Sequence, residues 1–159
     1  MQNILIPTDF TIGSLKLVKH VLDTTTSDEI RLVFVCGVYL PSSITEMLFY
    51  SPEKTLLECM NTEFTDGLEI IRSKYQSRIN KVQIEIFYGT TNAAFSNFLE
   101  AHKIDCIFMP ADYRFKVFHN RSFDCIPYLQ KAKVPVQSIG WVEKTGLPEK
   151  DLLAELFLT

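Results

Sequence analysis

The feature that most constrains the fold is an alternation between short apolar runs and longer segments with helical periodicity. Runs such as Ile4-Leu5-Ile6 are continuous and apolar and end at proline or polar residues, which is typical of strands buried on both faces of a sheet. Between such runs, apolar residues recur every three or four positions, as at Leu15, Val18 and Leu22, which predicts helices with one buried face. This order implies βαβ units with right-handed crossovers, and therefore a parallel sheet covered by helices on both sides.

These patterns predict five strands. They fall at residues 4–6, 30–35, 82–88, 105–109 and 134–139. The third strand alternates apolar and polar residues, so we expect it at a sheet edge with one exposed face.

A helix is predicted after each of the first four strands. Ser14 is the expected cap of the first helix, and the second is a single long helix from Pro52 to about Ile79. Thr91 or Asn92 can cap the third helix, and Asp124 the short fourth one.

Two segments lie outside this alternation. Residues 39–51 form a long loop whose apolar side chains we expect to be buried, and loops of this length are often functional covers or contain a short helix. A last segment, from Pro148 to Thr159, carries an apolar stripe that packs on its own domain or on a second subunit; the stripe is Leu152, Leu153, Leu156 and Phe157. We therefore predict an α/β domain over residues 1–142 and an amphipathic helical tail over residues 143–159.

Charge and composition exclude several classes of function. Lys and Arg total 16 against 19 Asp and Glu, and the charges are scattered, whereas a nucleic-acid partner would need a basic stripe. No run approaches the ~20 apolar residues of a membrane span, and the N-terminus lacks the basic and apolar regions of a signal peptide. We expect a cytoplasmic protein whose four separated cysteines are reduced, mostly buried thiols, with no metal site.

An ordered series of short matches resembles the universal stress protein family. The opening segment, residues 3–11, is similar to the first strand and turn of that family, with Pro7, Thr8 and Asp9 followed by an aromatic residue. Gly89, the Asp-apolar-Met stretch over residues 104–109 and the late Val-Pro-Val over residues 134–136 follow in the family's order. The resemblance covers about residues 1–142 and depends on the series, since no single motif is diagnostic.

The resemblance implies a fold, a crevice and a subunit contact. The fold is α/β and Rossmann-like, of the adenine nucleotide alpha hydrolase-like type: a three-layer sandwich with a five-stranded parallel sheet of order 3-2-1-4-5. Family members are frequently homodimers paired through the last strand, and one branch holds ATP between strands one and four. The crevice at that point, where open parallel sheets bind ligands, would be lined by Pro7, Thr8, Asp9, Pro110, Ala111, Asp112, Tyr113, Arg114, Arg121 and Ser122. The subunit contact would involve Val134, Val136 and Ser138 of the last strand. The tail has no counterpart in the family, and its apolar stripe would add Leu153 and Phe157 if it packs on a second subunit.

The glycines of the ATP-binding branch are missing. The positions that match its phosphate-binding glycines and its later Gly-Ser are Pro110, Tyr113, Ser122 and Phe123. Glycine lets backbone N–H groups approach phosphate oxygens closely, whereas proline has no N–H and the aromatic side chains would crowd the site. We therefore expect no ATP in the family's usual mode, and no other cofactor.

Several candidate residues keep two interpretations. Asp9 matches the family's nucleotide-contacting aspartate, or it bonds locally to the turn through Thr11. Residues 112–121 are either an anion-accepting lip with Arg114, Lys116 and Arg121, or a solvated loop whose aromatic side chains fill the crevice. His119 with Asp124 invites an acid–base role, but no nucleophile of matching spacing accompanies them, so we predict no catalytic residue.

Three functional hypotheses follow. The first is a non-catalytic stress-response protein that acts through homodimerisation and binding, with a possible further protein partner and no nucleic-acid or membrane partner. The second is an adenine-nucleotide binder or slow ATPase with a rearranged phosphate loop. The third is a ligand-sensing module with an apolar pocket under the loop at residues 39–51.

Overall fold

The computed structural model describes residues 1–111 and 115–140. The strands are β1 (Gln2–Pro7), β2 (Ile30–Val38), β3 (Ile79–Phe87), β4 (Cys106–Pro110), β5 (Ser122–Phe123) and β6 (Val136–Ile139). The helices are α1 (Ile12–Thr24), α2 (Ile44–Leu48), α3 (Pro52–Cys59), α4 (Thr62–Lys74), α5 (Asn92–Ala101) and α6 (Ile126–Gln130). No helix in this part of the chain has the length and apolar character needed to cross a bilayer. The predicted tail, residues 143–159, lies outside the described residues.

The main sheet is parallel and has the order β3-β2-β1-β4-β6. Since β6 is the fifth predicted strand, this is the predicted order 3-2-1-4-5. The two-residue β5, which the sequence patterns do not indicate, pairs antiparallel with β2. The predicted edge position of β3 is confirmed, because it is the last strand on the β2 side.

The central strand β1 is buried on both faces, as its continuous apolar run predicts. Ile4 and Ile6 pack into the cluster that contains the apolar faces of α1 and α4. Leu5 points to the opposite face and packs with residues of α5 and α6. The result is the predicted three-layer α/β architecture.

The single long helix predicted from Pro52 is wrong: the chain forms α3 and α4 with a break at Met60–Asn61. Asn61 has an extended backbone, and its side-chain oxygen accepts a hydrogen bond from the Phe64 N–H at 2.8 Å. Asn61 therefore caps a new helix. The apolar periodicity continues across the break because both helices cover the same face of the sheet.

Smaller differences concern helix starts and one loop. The helix α1 begins at Ile12, two residues before the predicted cap Ser14, whose hydroxyl instead donates to the Thr11 carbonyl at 2.7 Å. Cys125 is the cap residue of α6, although Asp124 accepts a bond from the Ile126 N–H at 2.9 Å, one position from the predicted cap. The loop at residues 39–51 contains the short α2, none of whose residues is buried. The expectation that its apolar side chains are buried is therefore wrong for α2.

Candidate functional site

The sheet order places a crevice beyond the carboxyl ends of β1 and β4, where the winding direction reverses. We call it the switch-point crevice. Thr8 and Asp9, at the end of β1, are 0 % and 2 % exposed. These polar side chains are thus brought to the predicted place, but they are closed off from solvent.

Both carboxylate oxygens of Asp9 accept hydrogen bonds from the chain itself. Its Oδ1 accepts from the backbone N–H of Thr11 at 3.2 Å and from the Thr11 hydroxyl at 2.6 Å. Its Oδ2 accepts from the backbone N–H of Lys116 at 2.9 Å. The predicted local bond to Thr11 is present. The bond to the second oxygen holds the segment at residues 115–118 against the end of β1.

Phe10 and Phe118 pack together at this crevice. Their ring centroids are 5.1 Å apart in an edge-to-face arrangement, and Phe64 meets Phe10 from α4 at 5.2 Å. Phe10 has a φ of 60°, a left-handed backbone that is uncommon for an aromatic residue. Asn61 stabilises this turn, since its side-chain amide donates to the Phe10 carbonyl at 2.9 Å.

The strand β5 occupies the space directly beyond β1. The register of β1 against β2 ends with Pro7 opposite Val35. Two residues further along β2, Gly37 pairs with Phe87 of β3 on one side and with Phe123 of β5 on the other. Because β1 is the neighbour of β2 on that second side, β5 continues the sheet where β1 stops, within the crevice.

The Phe123 side chain completes this closure. Its ring stacks on Tyr39 with centroids 4.3 Å apart and meets Phe87 edge-on at 6.1 Å. A Cβ on Gly37 would lie 2.7 Å from a ring carbon of Phe123 and 2.7 Å from its carbonyl oxygen, so the close approach of β5 requires a glycine there.

The remaining predicted residues that the structure describes belong to β4, β5 and β6 or lie next to these strands in the chain. Pro110 ends β4 opposite Ile139 of β6, and the next N–H, of Ala111, donates to the Ile139 carbonyl at 2.9 Å. Arg121 directly precedes β5, and Ser122 is the first residue of that strand. Asp112, Tyr113 and Arg114 lie outside the described residues, as do Leu153 and Phe157. Of the predicted subunit contacts, Val136 and Ser138 lie on β6, with Val134 just before it.

A second concave site lies under the loop at residues 39–51. We call this space of about 380 Å³ the α3 cavity; its lining includes Glu46, Tyr50, Lys54, Glu58, His119 and Arg121. It is bordered by α2, the first two turns of α3 and the residues before β5. The third hypothesis places an apolar pocket under this loop, whereas these lining side chains are largely polar or charged.

His119 is fixed in one orientation at the wall of the α3 cavity. Its Nδ1 accepts from the backbone N–H of Arg121 at 3.1 Å, so the neutral ring carries its hydrogen on Nε2. Nε2 lies 2.9 Å from a carboxylate oxygen of Glu58. This hydrogen bond lowers the pKa of Glu58. The partner of His119 is thus Glu58 of α3, not Asp124.

Arg121 is also positioned by the loop. Its guanidinium donates to the Tyr39 carbonyl at 3.0 Å and lies 5.9 Å above the Tyr50 ring. The backbone of Tyr39 in turn donates to the Arg121 carbonyl at 2.8 Å. From the sequence, Arg121 is a possible anion-binding residue of the switch-point crevice. In the structure it lines the α3 cavity, whose other wall comes from a loop that is distant in sequence.

The four cysteines are free thiols, and three of them are buried, as predicted. Burial raises the pKa of Cys59 to about 11 and that of Cys125 to about 12, and it raises the pKa of Cys36 further. A raised pKa disfavours the thiolate, which is the nucleophilic form of cysteine. Among residues 1–111 and 115–140, no group of three or more His, Cys, Asp or Glu side chains is arranged to hold a metal ion.

Comparison with known proteins identifies the fold. No family model and no curated protein sequence matches the chain. The universal stress protein UspA from Lactobacillus plantarum matches with a TM-score of 0.55 and 14 % identity, over 87 % of this chain and 97 % of its own. The hypothetical protein MJ0577 matches with a TM-score of 0.52 and 18 % identity, over 90 % of this chain and 98 % of its own.

A third solved structure, a universal stress protein in complex with cAMP, matches with a TM-score of 0.50 and 12 % identity, over 87 % of this chain and 96 % of its own. At these identities the likeness establishes a shared fold. The resemblance stated from the sequence is confirmed at that level: the chain has the Rossmann-like fold of the universal stress proteins.

Proposed function

We propose that this chain, which has the fold of universal stress proteins, is a non-catalytic stress-response protein of that kind. It acts as a homodimer through binding, and it does not hold ATP in the switch-point crevice. The observation that carries this proposal is the closure of that crevice by the chain's own β5 and by Phe118.

Closure fills space that a triphosphate needs and engages hydrogen-bond donors of the residues that the structure describes there. Phosphate binding at the carboxyl end of a parallel strand uses free backbone N–H groups. Here Pro110 has no N–H, and the N–H of Ala111 is bonded to Ile139. The Lys116 N–H is bonded to Asp9. A nucleotide would therefore have to displace bonds that the protein already makes.

The edge position of β6 supports the homodimer. Among residues 1–111 and 115–140 it is the last strand beyond β4, and its Gln137 and Ser138 are exposed. An exposed edge strand offers backbone donors and acceptors to another chain. A second copy of β6 could pair there across a two-fold axis.

Calorimetry with ATP and magnesium tests the closed crevice. We expect no saturable heat at millimolar nucleotide. Micromolar binding that weakens when Arg114 is replaced by glutamine, but not when the exposed Lys19 is, would contradict the proposal and favour the nucleotide-binding alternative. That alternative is favoured by one observation, the cAMP complex of a protein with the same fold.

The mass in solution tests the homodimer. We expect a dimer at micromolar concentration by light scattering, and a strict monomer would exclude it. Deleting residues 147–159 tests whether Leu153 and Phe157 contribute to the dimer contact. An unchanged mass after the deletion would show that they do not.

A further inference from the structure

We propose that the α3 cavity binds a small zwitterion with an apolar side chain, of the free amino acid class. The inference rests on the charges, fixed side chains and size of this cavity. It does not depend on the state of the switch-point crevice or on dimerisation.

The cavity has a rigid wall. The ring of His119, whose side chain is 9 % exposed, is held at both nitrogens by Arg121 and Glu58. Thr55 of α3, also in the lining, is 3 % exposed. Side chains held in this way lose little conformational freedom when a ligand binds, which favours affinity.

Both signs of charge face the same space. Lys54 and Arg121 supply cationic donors, and Glu46 and Glu58 supply carboxylates. Among the described residues, the ammonium group of Lys54 has no hydrogen bond or ion pair, and the Arg121 guanidinium has only the Tyr39 carbonyl as acceptor. Donors and acceptors for a carboxylate and for an ammonium group are thus present together.

This balance selects against simple ions. A phosphate or a nucleotide would meet the two carboxylates, and a cation without an anionic group would meet Lys54 and Arg121. The first turn of α3 adds little for an anion, because Pro52 has no N–H and the Lys54 N–H bonds to Ser51 at 3.3 Å. The Glu53 N–H bonds to its own carboxylate, which lowers the pKa of that group. A ligand that carries one charge of each sign is the better electrostatic complement.

The apolar part of the ligand has a matching surface. Tyr50 and Phe49 also line the cavity, and Phe49 is 77 % exposed. An apolar ligand group over the Phe49 ring would remove aromatic surface from water. The volume, about 380 Å³, is near the lower end of the roughly 300–1,000 Å³ of small-molecule pockets. A volume in this range suits a small ligand such as a free amino acid.

An NMR titration of the full chain with L-phenylalanine and L-leucine tests the site. We expect saturable shifts of backbone amides around Thr55, Glu58 and Arg121. Hydrocinnamate, which keeps only the carboxylate, and phenethylamine, which keeps only the ammonium group, should each bind at least about tenfold more weakly. Inorganic phosphate should leave these amides unshifted.

Matched variants assign the charges. Lys54→Met and Glu46→Gln should each weaken L-phenylalanine binding by about tenfold, because each removes one charged contact. Lys19→Met and Glu29→Gln, at exposed positions outside the cavity, should leave the affinity unchanged. The unshifted remainder of each spectrum shows that the variants are folded.

Three results would overturn the proposal: no saturable shift with either amino acid, hydrocinnamate bound as tightly as L-phenylalanine, or full affinity in Lys54→Met. Nucleotide binding with shifts at Asp9 and Ala111 would instead contradict the proposed function and leave this site intact. The two proposals can therefore fail separately.

Discussion

Gly37 is the residue at which β2 meets both β3 and β5. Its missing side chain leaves room for the Phe123 ring and carbonyl, which would lie 2.7 Å from a Cβ. One of these contacts is with backbone, so a side-chain rotation cannot relieve it. Closure of the switch-point crevice therefore depends on a single residue of β2.

Gly37→Ala should consequently destabilise the protein by about 1–3 kcal/mol, as overpacking does in well-packed interiors. The measurement is the free energy of unfolding in urea. Gly140→Ala is the control, since nothing lies within 4 Å of a Cβ there. Equal stability of the two variants would contradict the close packing of β5 on β2.

The thiols allow a second test at the residue scale. Burial raises the pKa of Cys59 to about 11 and that of Cys125 to about 12, so almost no thiolate is present at about pH 8. We expect iodoacetamide to modify both very slowly in the native protein and rapidly after denaturation. Mass spectrometry of the peptides measures this, and rapid native labelling of Cys59 would show that its site opens.

At the element scale, the break between α3 and α4 shows what periodicity misses. Apolar residues at Leu57, Met60 and Phe64 follow helical spacing across the break, so a single helix is the natural prediction. The side chain of Asn61 stops it by capping α4 and by donating to the Phe10 carbonyl. A cap within a periodic segment is indicated only by residue type, which is a weak signal.

Replacing Asn61 separates its two roles. Asn61→Ala should cost about 1 kcal/mol for the lost cap, plus the bond to Phe10. Asn61→Ser keeps a cap acceptor and loses the amide donor to the Phe10 carbonyl, so it should be the less destabilised variant in urea unfolding. If the serine variant were as unstable as the alanine variant, the cap would contribute nothing.

At the scale of the whole molecule, the proposed dimer concerns the open edge at β6. Ser138→Lys places a charge on an exposed position of that strand, and edge lysines oppose strand pairing between chains. We expect the variant to be monomeric by sedimentation equilibrium at a concentration where the parent is dimeric. Ser77→Lys, an exposed position before β3, is the control. A dimeric Ser138→Lys variant would place the contact elsewhere.

The α/β class and most strand positions could be predicted from local sequence patterns, whereas the order of the main sheet is implied only by the resemblance to universal stress proteins. The class and the strand positions depend on burial within one element: Ile4, Leu5 and Ile6 are all apolar because both faces of β1 are covered. The spacing of apolar residues in a strand or helix reflects which of its faces are buried.

Only the tertiary structure decided what occupies the switch-point crevice and where the α3 cavity lies. The two residues of β5 are too few to show a periodic pattern, and they pair with Gly37 from a distant part of the chain. The contact between Glu58 and His119 joins α3 to the segment before β5. Such pairings arise from how the elements pack together, so they cannot be predicted from a residue's immediate neighbours in sequence.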